Sequence, residues 1–481
     1  MVDARTHESI VVFLYLAAVA VIGLYVSRRS RGGGGSASEY YLAGRNLRWI
    51  TIGASLFVTT AWGVLLAAMS HPSLLDEGIL PWSAAGTALL LIVLAFGFAP
   101  MYARLRGYTV PQHWAERYDD ATGLWLSVIS ILLNALVRVP LTIVAGCWLF
   151  QSMLGWDLLS SSMLMIVVSG LYAIAGGFRA VVSAQVMQAV VALAGLIVLS
   201  AGGGAFLLPG AVGSEQMTRT GFLVAALIAG IWYVGADQVV IQRVFGGRDS
   251  TQVRRGIVLA AGLMAVVAVL ALVTGQPVAQ SHRTAIETGF LSGLVGASLL
   301  SFLMSSLAGY FHSTSTLFTM DIYRRFRSGA TDERLILVGR LCTTALVILA
   351  ILVASSTALV DARVYALLME GPGSFIPPVV AIVTFGLVWK RINARGAFWS
   401  LAAGMFLGLS HCALRVAGAA PAAWVDGFPV PFPLLSLIVS AAVLVVVSLF
   451  TLEGKRAAAS DVSGPRAASS SHRVLGRGAV R

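Results

Sequence analysis

An all-α fold that crosses a membrane about thirteen times is predicted by three observations. Of the 481 residues, 58% are hydrophobic and only 11% charged, far too apolar for a soluble enzyme. The apolar residues gather in stretches of about 20, the length that spans roughly 30 Å of hydrocarbon as a helix. The basic residues fall in every second connection between those stretches.

The first stretch, 9–27, could be mistaken for a secretion signal. Met1 to Ser9 forms no basic leader cluster, and Arg28-Arg29 follows the apolar run, so it is expected to stay as an anchor with its N-terminus outside. Further spans centre at 48–70, 80–102, 123–151, 157–175 and 180–203, then at 221–243, 256–276, 289–322, 335–358 and 364–389, and last at 396–417 and 433–452. Basic clusters such as Arg28, Arg29 and Arg31, then Arg104 and Arg106, then Arg254 and Arg255, then Arg324, Arg325 and Arg327, then Lys390 and Arg391 mark one side. The alternate connections hold only Arg5, Arg219, Arg283, Arg363 and Arg415. By the positive-inside rule an odd number of spans then places the C-terminus in the cytoplasm of a plasma (inner) membrane protein.

The net charge of +12 is read as topology and not as a nucleic-acid surface. Cys147, Cys342 and Cys412 lie in separate apolar runs, as free buried thiols do. Gly32 to Ser38 and the tail at 453–481 read as flexible cytoplasmic segments. The chain carries no HExxH, no GxSxG and no Cys/His cluster, so neither an enzyme nor a resident cofactor is expected.

Carriers of this kind are often two inverted repeats, each opening with a helix broken at mid-membrane. Two spans, five apart, carry such interruptions: Thr59-Thr60-Ala61-Trp62-Gly63 in the second and Gly230-Ile231-Trp232-Tyr233-Val234-Gly235 in the seventh. The organisation that follows is a leading span (1–27), a cytoplasmic loop (28–47), a first repeat of spans 2–6 (48–203), a second of spans 7–11 (221–389), trailing spans 12–13 (396–452) and the tail. The ninth span adds a row of hydroxyls, Ser301, Ser305 and Ser306, then Ser313-Thr314-Ser315-Thr316. Inside lipid such groups glue or kink helices, or ligate a hard cation through oxygen.

Six blocks in order carry a family resemblance. Tyr40 to Leu47, Thr109 to Tyr118, Gly176 to Val182, Asp237-Gln238 through Gln242-Arg243, Ser313 to Tyr323, and Pro377-Pro378 through Arg391 are together similar to the signatures of the sodium:solute symporter family. The resemblance implies a leucine-transporter-type 5+5 inverted-repeat fold with one leading and two trailing helices, and sodium as the coupling ion. It places a cation among the carbonyls of Val58, Ala61 and Phe302 and the hydroxyls of Ser305 and Ser306. Helix glue is the competing role for the two serines.

Two departures bear on coupling. Many members of the family carry an acid where this chain has Gln185, and some carry one at the position of Thr60. A cage without nearby negative charge binds sodium weakly. Proton coupling would fall to Asp237, His312 or Glu370, of which Asp237 and Glu370 are also explained by structural pairing.

For the solute, Arg138 in the fourth span stands out, because arginine at a helix centre costs at least about 2.5–3.5 kcal/mol to insert. Acid-sugar carriers of the family use an arginine there for a carboxylate, to which the planar guanidinium fork is suited; pairing with a protein acid such as Glu370 is the alternative. Thr59, Thr60, Trp62, Trp82 and Tyr233 are expected around it. Sugar carriers hold hydroxyls at the positions of Val64, Leu65, Gly230, Met264 and Met369, none of which can do so here, which favours a small organic anion over a neutral sugar. The reading is thus a sodium-coupled symporter whose partners are a small solute, sodium and the bilayer. A proton-coupled or uncoupled carrier, a transporter-like sensor and a channel are the alternatives.

Overall fold

The computed structural model describes residues 4–31, 35–70, 79–104, 107–154, 157–201, 219–274, 289–356, 362–417 and 431–462. The glycines at 32–34 and the end of the tail, 463–481, lie outside the described residues, whereas Ala37 and Ser38, expected to be flexible, open a helix capped by Ser36, and 453–462 continues the last helix. The order is α1 (Ala4–Arg31), α2 (Ala37–Leu42), α3 (Trp49–Ser70), α4 (Ile79–Val93), α5 (Val110–Arg117), α6 (Asp120–Leu133), α7 (Val139–Leu154), α8 (Leu158–Ala201), α9 (Arg219–Gly235), α10 (Gln238–Phe245), α11 (Ser250–Thr274), α12 (Gly289–Leu317), α13 (Asp332–Ala354), α14 (Ala362–Phe375), α15 (Pro377–Val388), α16 (Ala394–Val416) and α17 (Phe432–Val462). Among the described residues the only strand-like pairing is an isolated bridge between Leu47 and Gly247.

Among the described residues, eleven stretches are long and apolar enough to cross a membrane. The sequence reading of thirteen differs by two for identifiable reasons: the apolar part of the second span, Trp49–Leu65, is shorter, and 159–201 runs as one element. That element turns at Gly177, where φ +58 and ψ −154 fall in a region open to glycine. Tyr40 crowds the same point, since a Cβ on Gly177 would lie 2.5 Å from its carbonyl oxygen.

Two irregular turns follow from prolines. Pro100 and Pro140 have no N–H to give to the carbonyl four residues back. The chain just before each opens into a wide π-type turn, Leu94–Phe98 and Asn134–Arg138, in which Ala99 N bonds Leu94 O and Val139 N bonds Asn134 O. The second of these turns delivers Arg138 into the protein interior.

The expected break in the second span is not present. α3 continues without interruption from Trp49 to Ser70, and Thr59 and Thr60 sit inside it with their hydroxyls on the carbonyls of Ser55 (2.9 Å) and Leu56 (2.5 Å), local bonds that a threonine makes without opening the helix. The seventh span does break, but after Gly235 and not within 230–235. Ala236 and Asp237 leave the helix, and Asp237, in extended geometry, caps α10 by accepting from Val239 N at 3.0 Å. Tyr102 satisfies a carbonyl at the break by donating to Gly235 O at 2.5 Å.

α12 lies at the centre, packed mainly on α8 and flanked by α1, α3 and α13. α11 covers α3 and α4, and α16 pairs with α17. Without a hydrophobic driving force between helices in lipid, close crossings depend on small residues. At the crossing of α3 and α11, a Cβ on Gly256 would come within 2.8 Å of Trp49 O and 2.7 Å of Ile52 Cβ. Gly256→Leu is therefore expected to push these helices apart and lower the melting temperature in detergent by several degrees; an unchanged melting curve would show that the crossing tolerates separation.

Candidate functional site

Two helices, α3 and α12, carry the expected cation ligands. Ser305 Oγ, on α12, lies 2.9 Å from its own helix's Phe302 O and 3.2 Å from Val58 O on α3. Ser306 Oγ donates to Thr59 O at 3.4 Å. Ser305 and Ser306 are fully buried. The hydroxyl of Ser305 thus touches two carbonyls on two helices, an oxygen cluster of the kind a hard cation uses. Ser306 reaches one residue away from the expected pair, and Ala61 contributes to the wall of a small apolar cavity with Val64, Leu65, Leu80 and Phe302.

Gln185, on α8, joins this cluster. Its Nε2 donates to Ser305 O at 2.8 Å, while its Oε1 accepts from Ser55 Oγ at 2.5 Å and from Arg243 Nη2 at 3.1 Å. The amide orientation is fixed by its neighbours, since a guanidinium only donates and a backbone carbonyl only accepts. Arg243, on α10, also donates to Ser55 Oγ at 2.6 Å, to Thr59 Oγ1 at 2.8 Å and to Val239 O.

A second cluster surrounds Arg138. Its two terminal nitrogens grip Asp237 at 3.1 and 3.0 Å, and Nη1 also reaches Asn134 Oδ1 at 3.1 Å. The guanidinium carbon sits 4.2 Å from the Tyr310 ring centroid and 5.1 Å from that of Trp232, within cation–π range. The protein acid that meets Arg138 is Asp237 and not Glu370, which pairs with Arg415. Between the clusters, Tyr233 OH donates to Thr60 Oγ1 at 2.9 Å and Trp62 Nε1 to Thr142 Oγ1 at 3.1 Å.

Trp82 does not belong here. It is 76% exposed on the outer face of α4, where a tryptophan meets lipid or the interface. His312 is buried among Phe178, Tyr40 and Tyr41, with ring centroids 5.4, 5.6 and 6.1 Å away. On the side where Arg45 and Arg248 gather, a cavity of about 320 Å³ is lined by Thr109, Gln112, His113, Glu116, Asp120 and Phe245. Burial holds the His113 imidazole below its ordinary value. Nearby, Asp321 accepts from Thr109 (2.7 Å), Gln112 (2.8 Å) and Ser127 (2.8 Å), which ties α5 and α6 to the turn after α12.

Sequence reasoning missed Ser55, Asn134, Tyr310 and Thr142, and read Gln242-Arg243 only as part of a motif. Arg243 was the one with a visible signal: an arginine set among Val239, Val240, Ile241, Val244 and Phe245 carries the same insertion cost that singled out Arg138.

Comparisons with known proteins bear on the family and the fold. A profile of the Sodium:solute symporter family matches residues 40–221 and 206–404. The sodium/mannose cotransporter of Bos taurus is 28% identical over 484 aligned positions, covering 85% of this chain and 79% of that protein. Sodium/glucose cotransporter 4 of Mus musculus is 27% identical, covering 93% and 76%, and the sodium/myo-inositol cotransporter of Mus musculus is 26% identical, covering 85% and 67%. Among solved structures, a substrate-bound, outward-open Na+-coupled sialic acid symporter superimposes with a TM-score of 0.72 at 18% identity, over 93% of this chain and 98% of that one, which shows the shared fold.

Removing one member of a buried, bidentate ion pair strands the other charge, at a loss of about 3–5 kcal/mol. Asp237→Ala is expected to lower thermal stability in detergent by that order, and Arg138→Met with Asp237→Leu to recover part of it. A double variant no more stable than Asp237→Ala would mean that the pair is not the main charge compensation here.

Proposed function

Because the chain belongs to the sodium:solute symporter family, we propose that it is a secondary active transporter that couples movement of a small organic solute to sodium by alternating access. It is a multi-pass membrane transporter and not an enzyme. The observation that carries the coupling reading is the contact of Ser305 with the carbonyls of Val58 and Phe302. α3 opens the proposed first repeat and α12 belongs to the second. A cation held between their oxygens would therefore draw the two together when it binds and release them when it leaves.

The solute is assigned to the space bordered by Thr60, Trp62, Arg138 and Tyr233. A carboxylate-bearing solute is favoured by charge: Arg138 and Arg243 place two guanidiniums in the buried centre against the single carboxylate of Asp237. The apolar wall at Val64 and Leu65 offers no groups for sugar hydroxyls. A neutral polyol is the second reading, favoured by the two-point grip of Asp237 on Arg138, which already compensates that arginine, and by the names of the sugar and inositol relatives. The basic side of the molecule is assigned to the cytoplasm, with the N-terminus outside and the C-terminus inside.

Ser305→Ala combined with Ser306→Ala is expected to abolish sodium-dependent uptake while the protein still inserts and purifies as a single species. Retained sodium dependence would refute the cage. In competition assays, small carboxylates are expected to inhibit uptake and neutral polyols to leave it unchanged; the reverse order would assign the solute to the polyols.

A further inference from the structure

Arg243 is 1% exposed, yet among the described residues every group it bonds is neutral: Ser55 Oγ, Thr59 Oγ1, Gln185 Oε1 and the Val239 carbonyl. A guanidinium stays charged at any working pH, so a positive charge is fixed in the dry centre of the protein. The carboxylate on its own segment, Asp237, is committed to Arg138.

Two partners of Arg243 are also parts of the proposed cation cage. Thr59 takes the guanidinium on its hydroxyl while its carbonyl accepts from Ser306 at 3.4 Å. Gln185 takes it on Oε1 while its Nε2 donates to Ser305 O at 2.8 Å. A single residue therefore separates the fixed charge from the cage on each of two routes, and both spacers are uncharged.

We propose that Arg243 is the residue that sets the cation affinity of the cage, holding it low by repulsion through the neutral spacers Thr59 and Gln185. This rests on the sodium reading above. Like charges about 8 Å apart at an effective dielectric of about 20 change an affinity by an order of tenfold or more. The consequence for transport is a site that fills only when sodium is abundant and empties readily where it is scarce, which suits release on the low-sodium side.

The test neutralises the charge by two independent routes. Gln185→Glu places a carboxylate against Arg243 and leaves the guanidinium in position, and Arg243→Gln removes the charge itself. Sodium titrations of solute uptake in proteoliposomes, at saturating solute, are expected to show half-saturation falling roughly tenfold or more in each variant. A purely structural role for Arg243 would lower the yield or the maximal rate and would not tighten sodium binding. Sodium half-saturation that is unchanged or raised in a folded variant overturns the proposal. Should neither variant fold, the wild-type titration decides, because half-saturation well below the millimolar range contradicts a site held weak by a neighbouring charge. A wild-type protein indifferent to sodium would instead sink the coupling reading on which the proposal stands.

Discussion

The ion pair between Arg138 and Asp237 is what lets a helix break stand inside a membrane. Where α9 ends, the backbone loses its internal hydrogen bonds and lipid offers nothing in exchange. Asp237 answers part of that loss by capping α10, but a carboxylate at that depth needs its own compensation. Arg138 supplies it with two nitrogens, and is brought there by the wide turn that Pro140 forces on the preceding residues. Tyr310 and Trp232 shield the pair from the sides. Each irregularity in this region is thus matched to another: the proline-induced turn to the break, and the arginine to the cap.

The neighbouring cluster follows a different logic. Ser305, Ser306, Thr59, Ser55 and Gln185 form a connected net of neutral donors and acceptors across α3, α8 and α12, with Arg243 as its one charge. Polar nets of this kind are stable only when nearly every group is satisfied. A coupling ion entering such a net has to displace existing hydrogen bonds, which makes its binding both selective for small hard cations and easily reversed.

Much of this was legible in the sequence. Hydropathy, the alternation of basic connections and six ordered motifs give the helical membrane fold, and Ser305 touches the carbonyls of Val58 and Phe302, whereas Ser306 bonds Thr59 instead. What failed did so for local reasons. The threonines of α3 look like helix breakers in sequence, but their hydroxyls bond the carbonyls of the preceding turn inside a helix that stays continuous. Trp82 sits at the right depth for a cavity wall, yet the rotation of α4 turns it outward, and rotation about a helix axis is weakly encoded when every face is apolar. Arg138 was recognisable by its insertion cost, whereas its partner was not, because the choice between Asp237 and Glu370 depends on which helices touch.

The central claim is that the oxygens between α3 and α12 hold a sodium ion whose binding is linked to that of the solute. It is tested most directly by thermal unfolding of the detergent-purified protein against a panel of organic acids, amino acids and polyols, each in sodium and in potassium, since a ligand that binds the folded state raises its apparent stability by mass action. A solute that stabilises in sodium and not in potassium is the expected result. Stabilisation of equal size in both salts would contradict it.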